Sequence, residues 1–377
     1  MAFQGYNSAL GNGAMRYDTA RSLARADRPA KNGGAWRRSW LGSPGLFRWE
    51  RSRRVETPVR LLSLALQGGG SFGAFTWGVL DRLIEQQGVS VDALSGTSAG
   101  AINAVILADG LAHGPDQARE KLQRFWKRAS DAALLTPFGP LGGVGVTTSA
   151  ATTLAFSTQL VSPYQFNPLG LNPLRAILSD LVDFERLRKA APMRLFIAAT
   201  HVKSGRLRLF RETEITLEMV LASACLPLLH HAIEIEGELY WDGGLSANPP
   251  LRRLAVESEA DDLVIVQLTP ERMKTVPQSS PEIARRVNQI SFNSPLQIEL
   301  EALSELTTLY RREPFLLSRQ GRKLRRLRLH KIAAEDAVEG LDRTSALDLG
   351  WPFLTRLQES GRKAAEAWLV NLPATAR

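Results

Sequence analysis

The amino-acid sequence predicts an α/β protein with a mostly parallel central sheet, and three features carry that prediction. Leu61 to Leu66 is a nearly continuous apolar run, as expected of a strand covered on both faces. It passes through a glycine-rich loop into Phe75, Val79, Leu80, Leu83 and Ile84, which recur at helical spacing. A second short strand, Val91 to Leu94, then leads through a tight turn into Ala99 to Ala108, small and apolar all round, like a helix buried against a sheet. The unit repeats as strand, tight turn, helix. In such layered proteins the loops at the carboxyl ends of parallel strands gather into the site.

Further elements follow in order. Arg194 to Thr200 and Arg206 to Phe210 flank a Lys203-Ser204-Gly205 turn and read as a hairpin, and Ile233 to Ile235 with Leu239 to Trp241 around Gly237 read as another. Leu263 to Leu268 is a buried strand closed by Pro270. From about residue 281 the pattern is helical. The basic run Arg319 to Lys331 partly alternates apolar and basic residues and reads as a strand with a solvated face, with phosphate or anionic-lipid binding as the sharper alternative. Trp351 to Trp368 is helical again. No internal repeat and no membrane-spanning segment is found.

A chain of 377 residues with 44% hydrophobic and 23% charged residues fits one large globular domain with extensions, or two domains. The single cysteine, Cys225, excludes an internal disulfide and a clustered-cysteine metal site; a small buried thiol in a reducing compartment is expected. Of the net charge of +9, residues 1–60 carry +8, with twelve Arg or Lys against four acids and no sustained apolar period, so residues 1–58 are expected to be a disordered basic arm. That arm lacks the apolar segment of a secretory signal. A cytoplasmic protein is expected, with organelle targeting by the arm as the alternative. Between Asp131 and Arg175 there is no charged residue, and glycines and prolines break the stretch, which suits either a lid, a lipid-contacting surface or a plain loop.

The chemistry concentrates in three places. Gly96-Thr97-Ser98-Ala99-Gly100 fits G-x-S-x-G, a strand-to-helix turn that exposes a serine, although the same residue types also cap ordinary helices. Gly68-Gly69-Gly70-Ser71-Phe72-Gly73 opens a helix with unscreened backbone N–H groups, suited to a dinucleotide pyrophosphate or to the oxyanion of acyl transfer. The nucleotide reading wants an acidic residue ending the second strand, and that strand ends in Leu94-Ser95-Gly96 instead. A serine also needs a base. His113, His201, His230, His231 and His330 have no evident catalytic context, whereas Asp242-Gly243-Gly244 puts a carboxylate after an apolar strand and before two glycines. Alone, that triplet is a turn signal.

These three motifs, in this order across roughly residues 60–272, resemble the patatin-like phospholipase family of serine lipid hydrolases. Gly68 to Gly73 is similar to the family's oxyanion loop, Gly96 to Gly100 to its nucleophile elbow and Asp242-Gly243-Gly244 to its catalytic Asp-Gly-Gly; Ser223 to Pro227 and Asn248-Pro249 look like its connecting blocks. The resemblance implies a three-layer fold with helices on both faces of the sheet and a mainly helical C-terminal extension. It divides the chain into the arm 1–58, a hydrolase core 59–273 and an extension 274–377. It implies a Ser98-Asp242 dyad and an oxyanion hole from Gly68, Gly69 and Gly70, supported by Gly73, Gly96, Gly100, Gly243 and Gly244. No cofactor or metal is implied. The expected partner is a lipid or phospholipid substrate, with peripheral contact to anionic membranes and no nucleic acid. Two departures stand out: Gln67 where many members carry Asp, and Ser71-Phe72 where they carry a cation in the loop. The rival readings are a Ser-His-Asp esterase and a non-catalytic nucleotide- or lipid-binding module.

Overall fold

The computed structural model describes residues 59–135, 162–273, 276–312, 318–338 and 345–372. The basic arm and residues 136–161 of the uncharged stretch lie outside the described residues, and with them the expectations placed there.

The strand-turn-helix units form as the apolar pattern requires. Strand β1 (Arg60–Leu66) leads to helix α1 (Gly73–Glu85), and β2 (Val89–Gly96) leads to α2 (Ala99–Leu111), followed by α3 (Pro115–Leu135). The hairpins are β3 (Arg194–His201) with β4 (Leu207–Arg211), and β5 (Ile233–Ile235) with β6 (Glu238–Asp242). The remaining strands are β7 (Asp262–Gln267) and β8 (Arg328–Ala333). One sheet runs in the order β5-β6-β3-β2-β1-β7-β8, with β4 paired to β3. Its strands β3, β2, β1, β7 and β8 are parallel, while β4, β5 and β6 enter antiparallel.

Alternation along the strands fills two cores. Leu62, Leu64 and Leu66 of β1 join Val264 and Val266 of β7 under α1, α2 and α3, while Ala65, Leu263 and Ile265 face Leu251, Leu254, Leu296, Leu303 and Leu324. A strand covered on both faces has no polar side to show, which is why its sequence reads as one apolar run. The result is helices, sheet and helices in three layers.

Residues beyond 273 belong to this architecture. They supply β8 to the sheet, the helix Ser280–Arg312 over one face, and the helix Trp351–Val370 against α1 on the other. The last contact is backbone on backbone. A Cβ on Gly78 would lie 1.9 Å from Gln358 O, and one on Gly361 would lie 2.0 Å from Phe75 O, so two glycines let the helices touch. Arg362 pairs with Asp81 and Glu85 of α1, tying the two helices together, and Arg119 of α3 pairs with the same two acids.

The basic run does not form the single strand its alternation suggests. Arg319–Arg326 is a helix, capped by Ser318 Oγ accepting the Gly321 amide, and only Arg328–Ala333 is a strand. A helix wins because Gly321, Lys323 and Leu324 are the residues buried. Arg328 and His330, with Arg60, bond to buried Asp262 and tie the starts of β8, β1 and β7 together. Burial opposes ionisation of Asp262, but these three donors outweigh it and hold its carboxyl well below the usual carboxylate range. His330 is thereby accounted for, at the end of the sheet away from Ser98.

Candidate active site

β3 acts as the template that brings the two candidate catalytic residues together. On one edge it pairs with β4 from Phe196 to Thr200. On the other edge it pairs first with β2, up to Ile197 opposite Gly96, and then with β6, beginning at Ala199 opposite Asp242. β2 and β6 therefore lie in line along the same edge of β3. Where β2 leaves the sheet through Thr97 and Ser98, β6 takes its place, and Asp242 meets the departing turn head on.

That turn is sharp. Ser98 has φ 55° and ψ −124°, a left-handed conformation that costs a non-glycine residue on the order of 1–3 kcal/mol. Its neighbours hold it there. Thr97 N donates to Leu66 O, Thr97 Oγ1 donates to Ala247 O at 2.8 Å, and the Ser98 amide donates to Ser223 Oγ at 3.0 Å. The flanking glycines serve close approach, since a Cβ on Gly96 would lie 2.6 Å from Gly100 O and one on Gly100 would lie 2.1 Å from Leu66 O. Ser98 itself keeps 7% exposure at the first turn of α2.

Asp242 is buried and fixed from three sides. Its amide donates to Cys225 O at 2.8 Å, its carbonyl accepts Thr200 Oγ1 at 2.8 Å, and its Oδ1 accepts the Gly244 amide at 2.7 Å. Oδ2 has no hydrogen-bond donor of ordinary geometry among the described residues. Burial raises the carboxyl's pKa, the Gly244 amide and the nearby Ser98 hydroxyl pull it partly back, and the balance leaves it at about 6. A buried carboxylate beside a serine hydroxyl, with its pKa raised to about 6, is suited to take a proton. Gly243 admits β3 closely, because a Cβ there would lie 2.3 Å from Ala198 O.

The amides of the glycine loop differ in what they are bonded to, which corrects the sequence expectation at one position. Gly68 N donates to Asn248 Oδ1 at 2.8 Å, so this amide is engaged and Gly68 drops out of the expected set of donors. It remains essential for space, since a Cβ would sit 2.8 Å from Ser98 Cβ. The amides of Gly69 and Gly70 make no other hydrogen bond among the described residues. Gly70 has φ +59°, and a Cβ on it would lie 2.3 Å from Ala346 O. Gly73, at the start of α1, lies against Ala99 and Trp126.

Gln67, which the sequence marks only as a departure from the family, and Asn293, which it does not single out, hold this loop. Gln67 is buried; its Oε1 accepts the amides of Leu268 and Thr269 at 2.7 and 2.9 Å, and its Nε2 donates to Asn293 Oδ1 at 2.9 Å. Asn293 Nδ2 donates onward to Pro270 O at 2.9 Å, and Asn248 Nδ2 donates to Phe292 O at 3.2 Å. An Asp in place of Gln67 could accept amides in the same way but could not donate to Asn293. Ser71 Oγ donates to Ser345 O at 2.8 Å, and the Phe72 ring meets Phe353 edge on, so both positions that depart from the family's cation are occupied by packing. A signal for Asn293 existed: it is a polar residue on the apolar face of an amphipathic helix, where a partner is obligatory.

No histidine bonds to Ser98 or Asp242 among the described residues. His201 contacts Ser204 and Glu238, His231 stacks on Tyr164, and His330 serves Asp262. His113 meets Arg186, and His230 is held toward its neutral form by burial and by His231. Cys225 is the buried thiol expected, its pKa pushed up to about 12 by burial and by the charge of Asp242. Among the described residues no cluster of three or more His, Cys, Asp or Glu is placed to hold a metal ion, and no helix is long and apolar enough to cross a membrane.

The Escherichia coli (strain K12) protein YjjU, itself uncharacterised, is 25% identical over 298 residues, covering 77% of this chain and 75% of that protein. Among solved structures, VipD from Legionella pneumophila is 16% identical with a TM-score of 0.35, over 79% of this chain and 67% of that one. The type III effector protein ExoU, from Pseudomonas aeruginosa, is 16% identical with a TM-score of 0.34, and the match covers 84% of this chain but about half, 54%, of ExoU. The family model described as patatin-like phospholipase matches residues 64–255, which include all three glycine-bearing motifs and half of the chain. The chain belongs to the patatin-like phospholipase family.

Proposed function

We propose that the protein is a serine acyl hydrolase acting on ester bonds of lipids or phospholipids, with Ser98 as nucleophile and Asp242 as its base. The observation that carries the reading is the pairing of a left-handed Ser98 with a buried Asp242 whose Oδ2 is unengaged. Ser98 Oγ attacks the ester carbonyl while Asp242 takes its proton, and the amides of Gly69 and Gly70 receive the negative charge that develops on the carbonyl oxygen. The alkoxide leaves with that proton. Water, deprotonated by the same carboxylate, then attacks the acyl-enzyme, and the proton passes from Asp242 to Ser98 Oγ as the acid leaves.

The engagement of Gly68 with Asn248 supports a two-amide hole rather than a three-amide one. Backbone donors held in place cost no reorganisation during reaction, and each contributes on the order of 3 kcal/mol in comparable sites. A free aspartate at a pKa of about 3.9 is a feeble base for serine, and burial of Asp242 narrows that gap. Reaction with a fluorophosphonate probe followed by peptide mapping tests the assignment: the label is expected on Ser98, and labelling of another serine, or of none in folded protein, overturns it.

A further inference from the structure

α2 is buried from Ala99 to Gly110, and within that span Asn103 and Asp109 are the two polar side chains. Asp109 is matched by Lys121 and Arg186. Asn103, with no exposed surface, is matched by two backbone carbonyls and an indole. Its Nδ2 donates to Gly73 O and to Ala99 O, each at 3.0 Å, and its Oδ1 accepts Trp126 Nε1 at 3.2 Å. An indole N–H only donates and a carbonyl only accepts, so the partners fix which way the amide faces, and both of its N–H groups are used.

The two carbonyls belong to the two halves of the candidate site. Ala99 follows Ser98 directly. Gly73 closes the glycine loop, its amide donating to Gly70 O and Ser71 O while the Phe72 amide donates to Gly69 O. Sheet register fixes β1 against β2 as far as Leu66 and Gly96, and beyond that pair both chains leave the ladder. Asn103 spans the two turns there. The helix starts touch at the point it bridges, since a Cβ on Gly73 would lie 2.7 Å from Ala99 Cβ and 3.1 Å from two carbons of the Trp126 ring. As first residues of α1 and α2, Gly73 and Ala99 already have helical amides four residues on to fill their carbonyls, so Asn103 is not needed to satisfy them.

We propose that Asn103 is a positioning residue for acyl transfer, setting the separation between Ser98 and the amides of Gly69 and Gly70 by bridging Gly73 O and Ala99 O. The inference rests on the hydrolase reading for what those groups do, and the bridge itself can be tested without turnover. In Asn103→Leu, kcat for a soluble p-nitrophenyl ester should fall by about 10²-fold with KM little changed, the scale of loss that a small misplacement of reacting groups causes. A trifluoromethyl ketone, to whose carbonyl carbon Ser98 Oγ adds, places an oxyanion on the same amides and should lose affinity by the same factor. Asn103→Leu also leaves the Trp126 indole without a partner, and adding Trp126→Phe removes that orphan. The double variant should therefore recover thermal stability and keep the low kcat. Hydrogen exchange at the Phe72 and Gly73 amides should be faster in Asn103→Leu and in the double variant than in Trp126→Phe alone, which keeps both bridging bonds.

Recovery of kcat together with stability in the double variant overturns the proposal, because Asn103 would then serve only the indole. So does a loss of activity carried by KM, or equal exchange at Phe72 and Gly73 in all variants. If the parent protein neither hydrolyses the ester nor captures the ketone, the hydrolase reading fails and exchange alone decides the bridge: faster exchange without Asn103 upholds it, and equal exchange overturns it.

Discussion

Asp242 follows Gly96 along the same edge of β3, two residues further on, since Ile197 pairs with Gly96 and Ala199 with Asp242. A serine turn and a carboxylate separated by more than 140 residues of chain thus share one rigid template. Positions set by sheet register are held more tightly than positions set by loops. The consequences can be measured.

Ser98→Ala and Asp242→Asn should each reduce turnover of a soluble p-nitrophenyl ester by about 10⁴-fold or more in folded protein, as losses of a nucleophile or its base do elsewhere. His201→Ala, His230→Ala and His231→Ala should retain most activity. His330→Ala, which removes a donor to Asp262, should lower the unfolding midpoint before it lowers turnover. Loss of activity in any histidine variant that keeps its circular dichroism and thermal transition would replace the dyad with a triad.

Asp242 sets a pH profile. With its carboxyl at about 6, kcat/KM for a soluble ester should rise tenfold per unit below that pH and level off above it, as a single ionisation. A flat profile between pH 4 and 8 would assign the base elsewhere.

The same ionisation makes Asp242 a liability for stability. Its folded pKa lies above its unfolded value near 3.9, so its contribution is fully present below about pH 4 and is lost as pH rises through about 6. Two units correspond to roughly 3 kcal/mol. Asp242→Asn, which cannot ionise and can still accept the Gly244 amide, should therefore be more stable than the parent at pH 8 by about 2 kcal/mol in denaturant unfolding, with the two converging near pH 4. An inactive variant whose stability advantage over the parent grows with pH in this way is the mark of a group held for chemistry.

Gly70→Ala should lower kcat by about 10²-fold or more, because its φ of +59° and the nearby Ala346 O force the loop to move its donors. Gly88→Ala provides the control, having φ +76° and open space around it; it should cost about 1 kcal/mol of stability and no activity.

Asn293→Leu should weaken the loop from a distance. It leaves Gln67 Nε2 and Pro270 O without their partner, a cost of about 1–3 kcal/mol per buried group, while Thr269 O keeps Gln267 Nε2. Expected is a fall in kcat larger than any rise in KM for the soluble ester, with Asn293→Asp, which keeps one acceptor, intermediate in stability.

The parts legible in the sequence are those fixed by local chemistry. Leu61 to Leu66 reads as a doubly covered strand because both of its faces meet apolar layers, and Ser98 and Asp242 are marked by the glycines that their close packing demands. Glu236 and Gly237, both at positive φ, make the tight turn that the second hairpin reading requires. What stayed hidden depends on partners distant in sequence. Gly68 looks like its neighbours until Asn248 is seen to take its amide, and nothing around Ser345 announces that it braces Ser71. Alternation in Arg319 to Lys331 misleads because Lys323 is buried by bonding to Ala260 O, so a cation occupies a position that the pattern assigns to solvent.

The backbone contact between α1 and the helix Trp351–Val370 bears on when the site comes into being. A ribosome releases Ser98 and Asp242 long before Ser345, Ala346 and Phe353, the residues that wall the glycine loop, have been added. Domains consolidate as their last essential contacts arrive, and here those contacts come from residues 345–353. A chain that stops short of Ser345 carries Ser98 and Asp242 but lacks the residues that wall the glycine loop.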